Sequence, residues 1–273
     1  MIYVIGKNGF IAKRINKFFK NKKNKIKFIG SNDIDLTKQN FKKKIIIKPN
    51  STILFLSAIT PDKGKDLITF KKNISMIINF LSQIRIENIS KLIYVSSDAV
   101  YSLKDQKISD NTRANPDDLY GLMHFTREQI IKKLFNKRKL LILRPTIMYG
   151  VGDTHGSYGP NRFINQLKQN KKIKLFGKGD DVRDHLFVQD FVKIIYNFYI
   201  KKNLYGEFVV ASQKSLKFID VAKKILLKYK KPKNFIEFIK VKNKPSKRYF
   251  SNLRVKKILN LKTTNINDGL KEY

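Results

Sequence analysis

The sequence predicts a doubly wound parallel α/β sheet with a small C-terminal lobe. Three observations carry that expectation. Short apolar runs alternate with helix-period patterns along the whole chain. The first run, residues 2–5, passes directly into a glycine turn, Gly6-Lys7-Asn8-Gly9, which opens a helical pattern. A length of 273 residues with 42% hydrophobic content suits one large α/β unit, or one such unit with a smaller lobe, and can bury a proper core.

In chain order, a strand at residues 2–5 precedes the turn, and Phe10 and Ile11 open a helix running through Phe18 and Phe19. Strand, glycine turn and helix make a phosphate site. Glycines let backbone approach a pyrophosphate, and the helix start supplies N–H groups and a positive dipole end. The second strand, residues 26–29, ends at Gly30-Ser31-Asn32. No acid stands at that strand end to favour NAD; Asp33 and Asp35 follow slightly later. Ser31 and Asn32, with Lys7, Lys13 or Arg14, are candidates for a 2′-phosphate. Asp35, Leu36 and Thr37 flank the adenine, or Thr37 caps a following helix. Residues 52–56 read as a buried parallel strand ending in Ser57 and Ala58, small enough for a cofactor to lie close. Residues 67–86 are helical, with Ile74, Ile77, Ile78 and Leu81 on one face, and with Asn73 either a functional residue or at an exposed helix position. Residues 91–96 and 140–143 are further strands, the latter closing in Arg144-Pro145. Residues 163–167 read helical and 173–176 extended. A helix at 191–199 follows Asp190 as its cap. A strand at 208–210, an amphipathic helix at 216–229 and helical pieces over 248–270 complete the chain. Residues 150–160 form the glycine-rich loop after a strand's carboxyl end, where such folds bind ligands.

Composition excludes several classes. With no cysteine, disulfides and thiolate zinc sites are out, no metal site is expected, and a reducing cytoplasm is the default compartment. No apolar run reaches a membrane span's roughly 18–20 residues. The N-terminal run is too short for a signal peptide. The net charge of +37 suggests an anionic partner. However, lysines are spread over every segment, with local clusters at 20–25 and 42–44, alongside abundant Ile and Asn. That pattern reads as compositional drift from an A+T-rich genome, not a dedicated nucleic-acid site.

The stretch from Tyr94 to His124 organises the rest. An apolar strand runs into Ser96-Ser97-Asp98-Ala99-Val100-Tyr101, and Asp117-Asp118-Leu119-Tyr120-Gly121-Leu122-Met123-His124 opens the next helix. A hydroxyl at a strand end and a phenol on the following helix can meet over one bound molecule. That geometry suits moving a proton while a cofactor moves a hydride.

These motifs, in order and spacing, resemble the extended short-chain dehydrogenases/reductases, specifically the NAD(P)-dependent nucleotide-sugar epimerase/dehydratase group. The similarity covers nearly the whole chain. The resemblance implies a Rossmann-type domain over residues 1–150, with 184–211 returning to it, and a substrate lobe from 151–183 and 212–273. It implies NAD or NADP held by Gly6, Gly9, Phe10, Ile11, Ser31, Asp35, Leu36, Ser57, Ala58, Asn73, Tyr120 and His124. It implies Ser97, Tyr120 and His124 as catalytic, and Asp98, Asn161 and Arg183 as contacts to a nucleotide-diphosphate sugar. His155 and Arg162 are further candidates in the loop after Gly150. Phe176-Gly177-Lys178-Gly179-Asp180-Asp181-Val182-Arg183-Asp184-His185-Leu186-Phe187-Val188-Gln189-Asp190 resembles the family's substrate-side signature. Ala99 stands where the group's dehydratases carry a second acid, so epimerisation or 4-ketoreduction is expected over dehydration. A homodimer through helices at 67–86 and 118–135 is expected, without membrane or nucleic acid.

One departure matters. The family's tyrosine is followed four residues later by lysine, and here that position is His124. The family's lysine holds the nicotinamide ribose and lowers the tyrosine's pKa. A free phenol titrates near pH ~10, and a histidine of ordinary pKa ~6.5 is mostly neutral at pH 7. Three expectations follow: His124 works by hydrogen bonding, Arg127 one turn on lends charge, or the chain is a catalytically impaired dinucleotide-binding relative with a binding or nucleic-acid-associated role.

Overall fold

The structure, a computed structural model of the chain, describes residues 1–20, 22, 25–39, 44–153, 156, 159–201, 203–242 and 244–273. His155 and parts of the 20–25 and 42–44 lysine clusters lie outside the described residues. The chain divides into two compact units. One comprises residues 1–100, 114–144 and 192–208; the other comprises 101–113, 145–191 and 209–273.

In the first unit, β1 (Ile2–Ile5) leads through the Gly6 turn into α1 (Phe10–Phe19), followed by β2 (Ile26–Ile29) and β3 (Ser51–Phe55). α2 (Leu67–Ser82) connects to β4 (Ile89–Val95). After β5 (Lys107–Ile108), which belongs to the other unit, come α3 (Leu119–Leu134) and β6 (Leu140–Pro145). β1, β3 and β4 are buried nearly throughout, which is why they read as unbroken apolar runs. The pairs β1–β2, β1–β3, β3–β4 and β4–β6 are all parallel. With a later strand, β10, the six-stranded order is β10-β6-β4-β3-β1-β2. The chain steps from β1 out to β2 and then back past β1 to β3. The strand order therefore reverses between β1 and β3, and ligands in such sheets bind outside the carboxyl ends at that reversal. Tyr3, Ile5, Phe55, Ile77, Phe80, Tyr94 and Ile142 belong to its core.

In the second unit, β7 (Ile147–Tyr149), α4 (Asn161–Lys168), β8 (Ile173–Phe176) and β9 (Val182–Phe187) precede α5 (Val188–Ile200), which runs into the first unit. Then follow β10 (Gly206–Val210), β11 (Ser215–Lys217), α6 (Phe218–Lys228), β12 (Ile236–Ile239), β13 (Tyr249–Phe250), α7 (Leu253–Leu259) and α8 (Ile266–Leu270). β9 lies between β11 and β7, β12 pairs with β8, and β13 with β5. Phe163, Leu175, Val221, Ile225 and Leu270 lie in the core of this unit.

Several sequence expectations are corrected. On α2, Ile78 is exposed, and the buried face runs through Asn73, Met76, Ile77, Phe80 and Leu81. Asn73 is thus an interior residue, not an exposed one. Leu216 is in β11, because α6 begins only at Phe218. Asp190 lies inside the first turn of α5 and does not precede it. Its carboxylate accepts from Thr264 N and Oγ1 at 2.6 and 3.0 Å. Among the described residues no helix begins at Thr37; Asp35 accepts from its N–H and hydroxyl at 3.0 and 2.7 Å, closing a turn.

Candidate active site

The turn after β1 is built for close approach. Gly6 has φ +109°, and a Cβ there would stand 3.0 Å from Ser57 N and 3.2 Å from its α-carbon. Only glycine lets this turn lie against the end of β3. Gly9 precedes α1, whose N-terminus has no side-chain cap. The N–H groups of the first turn therefore have no capping side chain and suit phosphate oxygens. At the end of β2, Asp33 turns back to accept from Gly30 N at 2.9 Å. Asp35 is held below the usual carboxylate range, chiefly by the Thr37 hydroxyl. Leu36 is buried in the core. Ser31 is exposed. These residues fit a dinucleotide.

Asn73 positions the segment after β3. Its side-chain oxygen accepts from Ile59 N at 2.8 Å and its amide donates to Ile59 O at 3.1 Å. Ala58 is half-buried between Ser57 and that clamp.

The carboxyl end of β4 carries two serines with different tasks. Ser96 is buried and donates to Glu128 at 2.6 Å. Ser97 is half-buried; its oxygen accepts from Ala99 N at 3.1 Å and its hydroxyl reaches Asp98 at 3.5 Å. α3 starts against this turn. Asp118 caps it by accepting from Gly121 N at 2.7 Å. A Cβ on Gly121 would stand 2.9 Å from the Ala99 carbonyl carbon and would overlap its oxygen. The glycine after Tyr120 thus lets the helix and the hydroxyl-bearing turn touch.

Behind Tyr120, His124 is 2% exposed, and the two rings meet edge to face at 4.7 Å between centroids. His124 Nδ1 lies 2.7 Å from the Tyr94 hydroxyl. Burial raises the pKa of Tyr94 and lowers that of His124 well below its ordinary value, with Arg127 adding to the latter. Both groups are therefore neutral near pH 7. The phenol and Nδ1 share this hydrogen bond, whose direction follows the imidazole tautomer. Nε2 is buried and has no hydrogen-bond partner among the described residues. His124 is thus a neutral ring enclosed behind Tyr120.

Glu128, fully buried, accepts from Arg144 at 3.0 and 2.5 Å as well as from Ser96. Sequence reasoning missed Tyr94, Ser96 and Glu128. Their signal was the α3 spacing, which puts His124, Glu128 and Ile131 on one buried face.

In the second unit, Arg183 donates to the carbonyls of Val182 and Ser246 at 2.8 and 3.0 Å and to the Ser246 hydroxyl at 2.6 Å, with Asp181 at 3.7 Å. Asn161 is buried. Its side-chain oxygen accepts from Gly150 N at 3.4 Å and from the Tyr273 hydroxyl, and its amide donates to Asp153. It ties down the start of the 150–160 loop. Arg162 lies over the Phe163 and Phe176 rings, each at 5.3 Å.

A six-stranded sheet with its β1–β2, β1–β3, β3–β4 and β4–β6 pairs parallel, a close glycine turn from β1 into α1, and a helix start packed on the β4 turn define a Rossmann-type α/β fold. The model of the NAD dependent epimerase/dehydratase family matches residues 2–211, and the chain belongs to that family. An uncharacterised UDP-glucose epimerase of Bacillus subtilis is 27% identical over 240 residues, 76% of this chain and 75% of the relative. Among solved structures, Pseudomonas aeruginosa RMD complexed with NADPH superposes with a TM-score of 0.83 at 18% identity, over 99% of this chain and 96% of that one. The Thermus thermophilus UDP-glucose 4-epimerase complex with NAD gives 0.80 at 14% identity, over 99% and 97%. At these identities the likeness to the solved structures is one of fold.

Among the described residues, no helix is long and apolar enough to cross a membrane, and no group of three His, Asp or Glu could hold a metal.

Proposed function

We propose that this protein is an NAD(P)-dependent nucleotide-sugar epimerase or 4-ketoreductase. The observation that carries the reading is the fit of Gly121 against Ala99, which docks the Tyr120 helix start on the Ser97 turn at the carboxyl end of β4. The similarity to a UDP-glucose epimerase supports the substrate class.

A bound nicotinamide supplies the hydride acceptor and donor. The chain's residues do the rest. Tyr120, as phenolate, takes the proton from a sugar hydroxyl and later returns it. Ser97 donates to the same oxygen and steadies the charge that develops there. His124, in the tautomer protonated at Nε2 and with its enclosing side chains opened by the cofactor, donates to the nicotinamide ribose. Gly6, Gly9 and the starts of Phe10 and Ile11 take the pyrophosphate. Ser57, Ala58, Leu36 and Asn73 shape the floor, with Ser31 and Asp35 at the adenosine end. Lys7, whose Cβ lies 3.0 Å from the Cβ position of Gly30, favours a 2′-phosphate at that end. Arg183 meets the diphosphate, as guanidinium suits phosphate oxygens, and Asp98 orients the sugar. Asn161 acts on the sugar side through the loop it anchors. In this reading residues 1–150 with 184–211 hold the dinucleotide, and 151–183 with 212–273 hold the substrate. The exposed Leu67, Ile68 and Ile78 of α2 and Leu122 and Leu134 of α3 support a homodimer through these helices.

Mass spectrometry of small molecules released from the purified protein, followed by turnover assays with UDP-, dTDP- and GDP-sugars, tests this. Retained cofactor with interconversion of two epimers indicates the epimerase; net consumption of NADPH indicates the reductase. No dinucleotide released and no turnover, with salt-sensitive RNA binding, would overturn both in favour of a binding protein.

A further inference from the structure

Arg127 lies on α3 close beneath His124, and its side chain is fully buried. Its Nε donates to Asn73 O at 3.0 Å, Nη1 to Ser57 O at 2.8 Å, and Nη2 to Asn73 O and to Asn73 Oδ1, the latter at 3.3 Å. Its face packs on the Phe55 ring at 5.6 Å. Each of these acceptors is a carbonyl oxygen. No carboxylate stands within ion-pairing distance among the described residues; the adjacent Glu128 turns instead to Arg144 and Ser96. Taking a guanidinium out of water costs several kcal/mol, and carbonyls restore only part of that. A buried cation lacking a counter-ion beside a cluster of titratable groups marks a functional charge.

The groups it faces are phenols and a neutral ring. Its charge acts on Tyr94 of β4, which packs against α3, and on Tyr120 along its own helix. Tyr94 in turn holds His124, whose ring edge meets Tyr120. The nearby acids are otherwise engaged: Asp118 caps α3, Asp98 takes the Ser97 hydroxyl, and Glu128 is paired.

We propose that Arg127 is the cation of this site, set back along α3 and holding Tyr120 as phenolate in place of a charge at position 124. The inference rests on the reading of Tyr120 as the proton-transfer group. The phenolate is the counter-ion that Arg127 otherwise lacks. Tyr94 and His124, hydrogen-bonded to each other, are the neutral groups beside it, with the His124 ring edge on Tyr120.

The test is a near-ultraviolet phenolate titration of the purified protein against Tyr120→Phe, which isolates the Tyr120 signal. Tyr120 is expected to ionise about one pH unit or more below the free phenol's ~10. Arg127→Gln should move that ionisation up by about one unit or more, and the acid limb of kcat with it, while Arg127→Lys restores part of both. KM should move less than kcat. A wild-type Tyr120 that titrates in the ordinary range overturns the inference. So do Gln and Lys variants with the same titration and the same pH profile, since Arg127 would then only anchor the Ser57 and Asn73 carbonyls. Should the Gln variant fail to fold, the wild-type titration and the Lys variant decide. A lowered Tyr120 ionisation without turnover of any nucleotide sugar would support Arg127 and sink the enzyme; turnover with an ordinary Tyr120 would do the reverse.

Discussion

Gly121 and Ala99 are in backbone contact: there is no room for a methyl group between the α-carbon of one and the carbonyl of the other. This joins the start of α3 to the turn that carries Ser97. Gly121→Ala must push the two apart. We expect a stability loss of roughly 1–3 kcal/mol from overpacking and, on the proposed roles of Tyr120 and Ser97, a fall in kcat larger than any rise in KM, because the two would be parted before the binding surfaces are lost. Urea denaturation and steady-state kinetics check it. A variant with unchanged kcat would mean that this contact does not set the Tyr120–Ser97 geometry.

The buried carboxylate of Glu128 is the second support of that geometry. It takes two bonds from Arg144 and one from Ser96, while Arg144 also meets Glu207 at 2.5 Å. Glu128→Ala takes the buried carboxylate from Arg144, which keeps Glu207, and frees the Ser96 hydroxyl in the interior. Removing one partner of a buried pair costs about 3–5 kcal/mol, and the remaining Glu207 lowers the expectation to about 2–4. Chemical denaturation measures it; a loss under about 1 kcal/mol would show that Glu207 takes over.

His124→Lys separates stability from activity. The lysine removes the buried hydrogen bond between the imidazole and the Tyr94 hydroxyl, at a cost of roughly 1–3 kcal/mol. An ammonium at position 124 adds a second positive charge beside Tyr120 and favours its phenolate. The expected variant is less stable and either more active or shifted to a lower pH optimum. A thermal melt with a pH–rate profile tests both halves. No change in activity or optimum would mean that position 124 does not face the reacting phenol.

Much of this was legible in the sequence, for physical reasons. A strand buried on both faces must be apolar throughout, so β1, β3 and β4 announced themselves. The Gly6 turn was readable because positive φ and close approach leave few alternatives to glycine. Ser97 and Tyr120 were readable as a strand-end hydroxyl and a helix-start phenol. What stayed hidden were pairings between side chains distant in sequence. That Asn73 is an interior clamp depends on Ile59 and Arg127, and neither is implied by helical period. Tyr94 looked like another apolar strand residue because its ring is one; its hydroxyl matters only because α3 places His124 above it. Leu216 misled because it lies two residues before Phe218, close enough to be read as part of the helical pattern of α6.

His185 on β9 offers a test of burial itself. It is 3% exposed and packs edge to face on Phe218 at 5.6 Å between ring centroids. Neither ring nitrogen has a hydrogen-bond partner among the described residues. Burial pushes its pKa down to about 3; the Arg183 backbone opposes this weakly and the Arg183 charge reinforces it. The unfolded chain takes up the proton near pH ~6.5. Between there and about 3, unfolding binds a proton that the fold excludes. Stability from this ring is full above the unfolded value and falls with pH below it, by about 1.4 kcal/mol per pH unit well inside the window. His185→Phe keeps the ring packing and removes two unpaired polar atoms, so near pH 7 it should be neutral or stabilising by about 1 kcal/mol. On going from about pH 7 to about pH 5, the variant should lose roughly 2 kcal/mol less than wild type. His124, also buried and neutral, contributes the same slope to both proteins and drops out of the difference. Urea midpoints at the two pH values make the comparison, and equal losses would mean that His185 protonates within the folded protein.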